Sequence, residues 1–311
     1  MANSDYSIED LYGDINKIDD YFFENQNGRL TVQRKHGSIH EYCHYGNNSG
    51  QGKCDGYFQM ASSGVIHLLK KLKNTHRLEY DKLAEYAILW LSYKLNIFQK
   101  TKGTKLNDFY TKYIKTNNDY NKKIKDNDSD SLTYMEIIDR NKDLMNIKEI
   151  SKFNNPFHIL IYLYSMVYDE IALCNHYLPY AKTFANEFEK LNKDSNNIEK
   201  SLYNRMLSTL SYDYNKLKNI YGNKKCTGFP SLPELTPQKM DAQPTALSSD
   251  VISSSSSIST TLIPSLSIFS IIPVFLGISY KYSLFGVDKL FQRQYIRKKL
   301  KKVKKKLKLN I

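Results

Sequence analysis

The chain has 311 residues and a formal net charge of +13. The first 250 residues carry 33 basic and 31 acidic groups, whereas the last 31 residues carry twelve basic groups and one acid, Asp288. A nucleic-acid-binding protein concentrates its basic surplus on a folded domain, so this distribution argues against that class and excludes nucleic acid as the expected partner.

Helical periodicity runs through residues 1–222 and predicts an all-α domain built as a helical bundle. Ser7–Asp10 has the pattern of a capping box, and an amphipathic helix is expected directly after it. A second helix should begin near Asp55. The third, Tyr80–Ile97, is apolar on nearly every face, which places it in the middle of the bundle with Trp90 in the core. Further helical segments are predicted near Asn107–Ile114, Ser131–Arg140, Asn155–Ile171, Tyr177–Leu191 and Asp194–Tyr221.

Other parts of this domain have weaker signals. Leu30–Val32 could pair in a short hairpin, whereas the polar stretch Thr116–Asp130 reads as a surface loop. Met1–Asp20 is polar and acidic, without the apolar run of a signal peptide.

After residue 222 the composition changes twice. Residues 223–261 contain four prolines and a serine run, Ser253–Ser257, which predicts a disordered Pro/Ser-rich stalk. Residues 262–280 are uncharged and largely apolar, with Leu262, Ile272 and Tyr280 at the start, middle and end. A helix of about 20 such residues covers the hydrocarbon core of a bilayer. The sequence therefore predicts a single C-terminal transmembrane helix and the lipid bilayer as a partner.

The last segment, residues 281–311, predicts a basic cytoplasmic tail, because lysine-rich flanks of a span stay on the cytoplasmic side and attract anionic lipids. Leu300, Val303 and Leu307 recur at helical spacing, so the tail can lie on a membrane surface as an amphipathic helix. Its main basic residues are Arg297, Lys298, Lys299, Lys301, Lys302, Lys304, Lys305 and Lys306.

The four cysteines are Cys43, Cys54, Cys174 and Cys226. Four cysteines allow three pairings, and disulfides are expected if the domain lies outside the cytoplasm. The glycine-containing loop between Cys43 and Cys54 is flexible enough to close, and a Cys174–Cys226 bond would tie the end of the last helix to the bundle. This pairing is favoured only modestly over the others.

Motifs for catalysis and cofactors are weak. His36, His40 and His44 lie close to two of the cysteines and offer a rival interpretation as a zinc site, but their spacing fits no strong zinc pattern. The segment 46–54 resembles a phosphate-binding loop, but its glycines are too far apart and a cysteine follows the lysine. Since no nucleophile elbow is present either, no enzymatic activity and no cofactor are expected.

Several segments, taken together, resemble the Plasmodium interspersed repeat (PIR) proteins, the Yir/Bir/Cir variant antigens of rodent malaria parasites. The most specific is the run EYAILWLSYKLN at Glu85–Asn96. Others are Glu41–His44, Ala61–Leu69, Leu106–Tyr110, Lys142–Asn146, Leu191–Ile198, Leu207–Ser211 and Tyr280–Gly286.

The resemblance implies a helical ectodomain on a stalk, one membrane span and a short cytoplasmic tail. It also implies a variant antigen of a large multigene family, on the infected erythrocyte surface or on parasite-derived membranes, where it serves antigenic variation and meets host receptors or antibodies. Cys43, Cys54 and Cys174 match the family's cysteine positions, whereas Cys226 lies later than the usual one. The alternative is a protein-binding membrane organiser inside the parasite or its vacuole.

Overall fold

The computed structural model describes residues 7–24, 29–46, 53–98, 101–125, 128–147, 149–167 and 174–239. Within these residues the fold is mostly helical, as predicted, with a single two-stranded hairpin. The helices are α1 (Ile8–Asp19), α2 (Gly56–His76), α3 (Tyr80–Ile97), α4 (Leu106–Phe109), α5 (Tyr134–Asp139), α6 (Asn154–Ser165), α7 (Cys174–Asn192) and α8 (Leu202–Asn223). The strands are β1 (Phe22–Glu24) and β2 (Leu30–Val32).

Helix α3 lies at the centre of the bundle and contacts α2, α5 and α6. Its bounds are those expected from the sequence, and Trp90 is fully buried. The indole packs against Gly64 of α2, where an added Cβ would lie 2.7 Å from Trp90 Cη2. Because any side chain at Gly64 would collide with this ring, the close approach of α2 and α3 depends on glycine.

The N-terminal elements cover one side of this centre. Ser7 caps α1 by accepting a hydrogen bond from the Asp10 N–H, as half of the predicted capping box. Helix α1 then packs on α2, α6 and α8. The hairpin that the sequence left open is present: β2 pairs antiparallel with β1, with Phe22 opposite Val32.

Several predicted bounds shift. Asp55 precedes α2 as expected. The segment predicted over Asn107–Ile114 divides into α4 and a π-helical turn over Tyr110–Ile114. Helix α6 ends at Ser165, before the expected Ile171.

The start of α8 was predicted wrongly. The helix begins at Leu202 with Ser201 as its N-cap, and the residues from Asp194 form turns instead. Asn197 is fully buried, and its amide donates to the backbone carbonyl and to the side chain of Asn192. Side-chain hydrogen bonds of this kind compete with helix formation, and Lys200 has a left-handed φ of 63°.

Candidate functional site

The four cysteines form two disulfides in the pairing that the sequence favoured. Cys43 and Cys54 are joined with their Cα atoms 5.1 Å apart, and Cys174 and Cys226 with theirs 5.4 Å apart. All of the bonded sulfurs are therefore unavailable as thiolate ligands, and the zinc interpretation loses two of its donors. The described residues hold no group of three or more His, Cys, Asp or Glu side chains arranged around a metal ion.

The first disulfide fixes a histidine beside it. The Cys54 N–H donates to His40 Nδ1 at 2.9 Å. Burial, together with the charge of Lys53, lowers the pKa of His40 below its usual 6.5. The imidazole is therefore neutral at physiological pH, as an acceptor of this bond must be.

Next to this disulfide lies the stretch predicted as a surface loop. The Asn118 N–H donates to the His44 carbonyl at 2.8 Å, and the Asn117 side chain donates to the Tyr42 carbonyl at 2.8 Å. Residues 43–46, 53–55 and 117–125 thus form one continuous region, which we call the disulfide-anchored surface. Its tyrosine, Tyr45, donates its hydroxyl to the Tyr113 carbonyl at 2.9 Å.

The side chain of Asp119 links two segments of this surface, those that contain His44 and Lys122. Its side chain is fully buried, accepts from the His44 N–H at 3.1 Å and lies 2.7 Å from both His44 Nδ1 and Lys122 Nζ. Tyr120 beside it is also buried, and its hydroxyl donates to the Ser62 carbonyl at 2.9 Å. The prediction of a free loop is therefore wrong for residues 117–120, because non-local partners bury their polar groups.

The exposed groups of this surface can bind anions. The His44–Asp119 pair resembles half of a catalytic triad, but within the described residues no hydroxyl or thiol lies within hydrogen-bond distance of the His44 ring. The outward-facing groups are amides and ammonium groups, which donate hydrogen bonds and attract anions. They belong to the exposed side chains of Asn118, Asn121, Lys122, Lys123 and Lys125.

The second disulfide begins a segment that sequence reasoning assigned to the stalk. From Cys226 the chain turns back along α7 and α8, with Phe229 buried and stacked on Tyr221 at 4.7 Å between ring centroids. The Tyr214 hydroxyl donates to the Pro230 carbonyl at 3.0 Å. We call residues 226–238 the C-terminal strap.

Two asparagines hold the far end of the C-terminal strap. Asn192 donates to the Glu234 carbonyl at 2.7 Å and accepts from the Thr236 N–H at 3.0 Å. The Gln238 N–H donates to the Asn197 carbonyl at 2.8 Å. The expected domain boundary at residue 222 is therefore too early, because the packed structure continues to these residues.

Sequence reasoning also missed a buried carboxyl group. Asp213 of α8 is fully buried, and it accepts hydrogen bonds from the hydroxyls of Tyr12 at 2.7 Å and Tyr86 at 2.9 Å. Burial raises the pKa of Asp213 to about 7, against the opposing effects of Tyr12, Lys82 and Tyr86. The available signal was its position on the apolar face of α8, between Leu210 and Leu217.

A second feature that the sequence did not indicate is an open basic depression of about 340 Å³ on the surface. It is lined by Lys73, Asn74 and Arg77, at the C-terminal end of α2, and by Lys125 of the disulfide-anchored surface. These residues meet only in the folded chain, so no local motif marks them.

The remaining predicted residues lie outside the described part of the chain. These are the span with Leu262, Ile272 and Tyr280, and the basic tail from Arg297 to Lys306. Among the helices that the structure describes, none has the length and apolar character needed to cross a bilayer.

Comparisons with known proteins identify a family and a solved structure that this chain resembles. A family model described as "Plasmodium variant antigen protein Cir/Yir/Bir" matches residues 12–281. A solved structure described as that of a Plasmodium PIR protein ectodomain is 30% identical, with a TM-score of 0.57, and the match covers 74% of this chain and 99% of that one. No curated protein matches. The family model covers most of the chain, and the chain therefore belongs to the Cir/Yir/Bir family of Plasmodium variant antigens.

Proposed function

We propose that this protein is a single-pass membrane antigen that displays its helical domain outside the cytoplasm, where it meets host receptors or antibodies and serves antigenic variation without catalysis. The observation that carries the proposal is the order of segments along the chain. A domain with two disulfides is followed by an uncharged apolar stretch and then by a lysine-rich end.

The two disulfides support the proposal that the helical domain lies outside the cytoplasm. Structural disulfides persist in oxidising compartments and are rare in the cytosol. The lysine-rich end supports a cytoplasmic location for residues 281–311, because lysine-rich flanks of a span remain on the cytoplasmic side. With the C-terminal strap packed on the bundle, the proposed stalk shortens to residues 240–261, ahead of a span over residues 262–280.

Display at the surface is tested with antibodies against the helical domain on intact and permeabilised infected cells. Surface display predicts labelling of intact cells and, in the same cells, loss of the domain on external protease treatment. Labelling only after permeabilisation would contradict surface display and favour the organiser inside the parasite or its vacuole.

Anchoring is tested separately by extraction with alkaline carbonate. The full chain should remain with the membrane pellet, whereas a variant lacking residues 262–280 should move to the supernatant. A control that lacks residues 297–306 should stay in the pellet, because the tail supplies charge and not the span. Release of the full chain would refute the anchor.

A further inference from the structure

A 3₁₀-helical segment, Arg34–Tyr42, leads into the first disulfide, and we call it the histidine segment because it carries His36 and His40. It packs on α2 and on β2. Ile39 near its middle is fully buried, and the Ile39 carbonyl accepts a hydrogen bond from the hydroxyl of Ser63 in α2. Neither of these groups titrates in the physiological range, so they hold the histidine segment on the bundle at neutral and at mildly acidic pH.

The returning end of the disulfide loop is held by a different kind of contact. Cys54 is nearly fully buried, at 7% exposure, so its backbone N–H requires an acceptor. That acceptor is the Nδ1 atom of His40, at 2.9 Å. The next N–H, that of Asp55, donates to Gln59 Oε1 within its own end of the loop. The imidazole of His40 therefore ties the Cys54 backbone to the histidine segment.

This acceptor exists only while His40 is neutral. A neutral imidazole has one protonated and one free nitrogen, whereas an imidazolium has a proton on both nitrogens and accepts no hydrogen bond. Protonation would therefore place an N–H of the ring against the N–H of Cys54. Histidine is the side chain whose ordinary pKa puts its change of charge between pH 5 and 8. This bond consequently responds to mild acid, which a bond to an amide or carbonyl oxygen would not do.

The surroundings of His40 oppose its protonation while the bond is formed. Burial lowers the pKa of His40, and so does the positive charge of Lys53. Residues 47–52 of the loop lie outside the described part of the chain and include no titratable side chain, and β2 includes none either. The other titratable side chains on the histidine segment and on the parts of the chain that contact it are Arg34, Lys35, His36, Glu41, Tyr42, Tyr21, Asp55, His67, Lys70 and the paired His44 and Asp119. An open loop exposes His40 to water, so a proton favours opening as the pH falls below 6.5, the usual pKa of histidine.

We propose that His40 is a proton-operated latch, which holds the returning end of the disulfide loop while neutral and releases it in a mildly acidic compartment. The Cys43–Cys54 bond remains in place, with its Cα atoms 5.1 Å apart, so the release is local and reverses when the pH rises. Because residues 53–55 belong to the disulfide-anchored surface, this surface is better ordered at neutral pH than in acid. The latch follows from contacts inside the folded domain and does not depend on which membrane carries the protein.

The test is amide hydrogen exchange of the full chain in a nonionic detergent, with the NMR-active nitrogen isotope in cysteine alone. The chain then gives signals from four backbone amides, and the exchange rates of Cys54 and Cys226 are compared in the same sample. The Cys226 N–H donates to the Tyr221 carbonyl at 3.0 Å, an acceptor that does not titrate. The ratio of the two rates therefore removes the intrinsic dependence of exchange on pH. We expect the rate of Cys54 relative to Cys226 to rise about fivefold from pH 7.5 to pH 5, the effect of losing one hydrogen bond.

Two variants assign the effect to one side chain. His40→Asn is the matched variant, because Asn has an amide oxygen near the position of Nδ1 and can accept from the Cys54 N–H at every pH. Its rate ratio should stay constant over the same range. His67→Asn is the control for a neighbouring histidine, since His67 Nε2 lies 3.0 Å from the Ser38 carbonyl and burial lowers the pKa of His67. This control should keep the rise of about fivefold.

The parent protein alone can refute the latch, even if a variant does not fold. A rate ratio that is independent of pH in the parent would overturn the proposal. An equal rise in the parent and in His40→Asn would also overturn it, because another group would then cause the opening. So would a constant ratio in His67→Asn, which would move the titrating group to α2. All of these measurements use purified protein, so none of them bears on surface display, which the labelling of intact cells decides.

Discussion

Asp213→Asn should change how the stability of the helical domain depends on pH. In the folded protein burial raises the pKa of Asp213 from 3.8 to about 7. Well below pH ~4 the Asp213 carboxyl group is neutral in both the folded and the unfolded state. Between pH ~4 and ~7 it is ionised in the unfolded state but still largely neutral in the folded state. The native domain therefore loses stability as the pH rises through this window, and the loss is complete above the folded pKa.

The size of this loss follows from the shift of the pKa. A rise from 3.8 to about 7 corresponds to roughly 4 kcal/mol, at 1.36 kcal/mol per unit. Asn is a neutral side chain of the same shape and can still accept from the hydroxyls of Tyr12 and Tyr86. The free energy of unfolding of Asp213→Asn, relative to the parent, should therefore rise by about 4 kcal/mol between pH 4 and pH 7.5.

The assay is denaturant unfolding of both proteins at half-unit steps of pH, under nonreducing conditions. Asp81→Asn is the control of opposite sign, because hydrogen bonding to Arg140 lowers the pKa of Asp81. Its carboxylate stabilises the fold above the unfolded pKa and loses that effect as the pH falls, by a small amount because the pair is half exposed. Parallel pH profiles for the parent and Asp213→Asn would refute the assignment of a strongly raised pKa.

Three other perturbations test the packing. Replacing Cys174 and Cys226 by Ala opens a loop with a sequence separation of 52 and should lower the free energy of unfolding by about 4 kcal/mol, measured by denaturant titration without reductant. An unchanged midpoint would show that the bond contributes nothing. Gly64→Ala places a Cβ 2.7 Å from the buried indole of α3 and should lower the free energy of unfolding by roughly 1–3 kcal/mol. In the control Gly222→Ala, in α8, the new Cβ meets open space, and the free energy of unfolding should rise by about 0.4–1 kcal/mol. Equal melting temperatures for the two variants would contradict the close packing of α2 on α3. Asn192→Ala removes two hydrogen bonds to the C-terminal strap and should speed cleavage of the strap by a glutamyl-specific protease about tenfold. An unaltered cleavage rate would show that these bonds do not hold the strap on the domain.

The elements that the sequence predicted well are those whose residues carry the signal locally. Helix α3 has no polar face, and a helix of this kind is buried in the middle of a bundle. Both its bounds and the burial of Trp90 could therefore be predicted from the sequence. The disulfide pairing was favoured only modestly, from the flexible loop between Cys43 and Cys54 and from the tie that a Cys174–Cys226 bond would give the last helix, and the structure has this pairing.

The errors concern residues whose partners are far away in the chain. Asp119 and Tyr120 lie in a polar stretch that resembles a loop, but His44 and Ser62 supply hydrogen bonds that allow their burial. The C-terminal strap is rich in proline and was predicted as part of a disordered stalk, yet the side chain of Asn192 fixes it to the domain. The open basic depression forms only where Lys125 approaches α2, which no periodicity encodes.

The path of the C-terminal strap determines how a pulling force would enter the domain. Tension applied beyond Lys239 first loads the hydrogen bonds around Asn192 and Asn197, at the turn between α7 and α8. Once these bonds break, the residues back to Cys226 form a released segment with a contour length of about 44 Å, at roughly 3.4 Å per residue. At that point the covalent bond to Cys174 passes the load to α7, so the domain has a tether that lengthens under strain before any helix is pulled from the bundle.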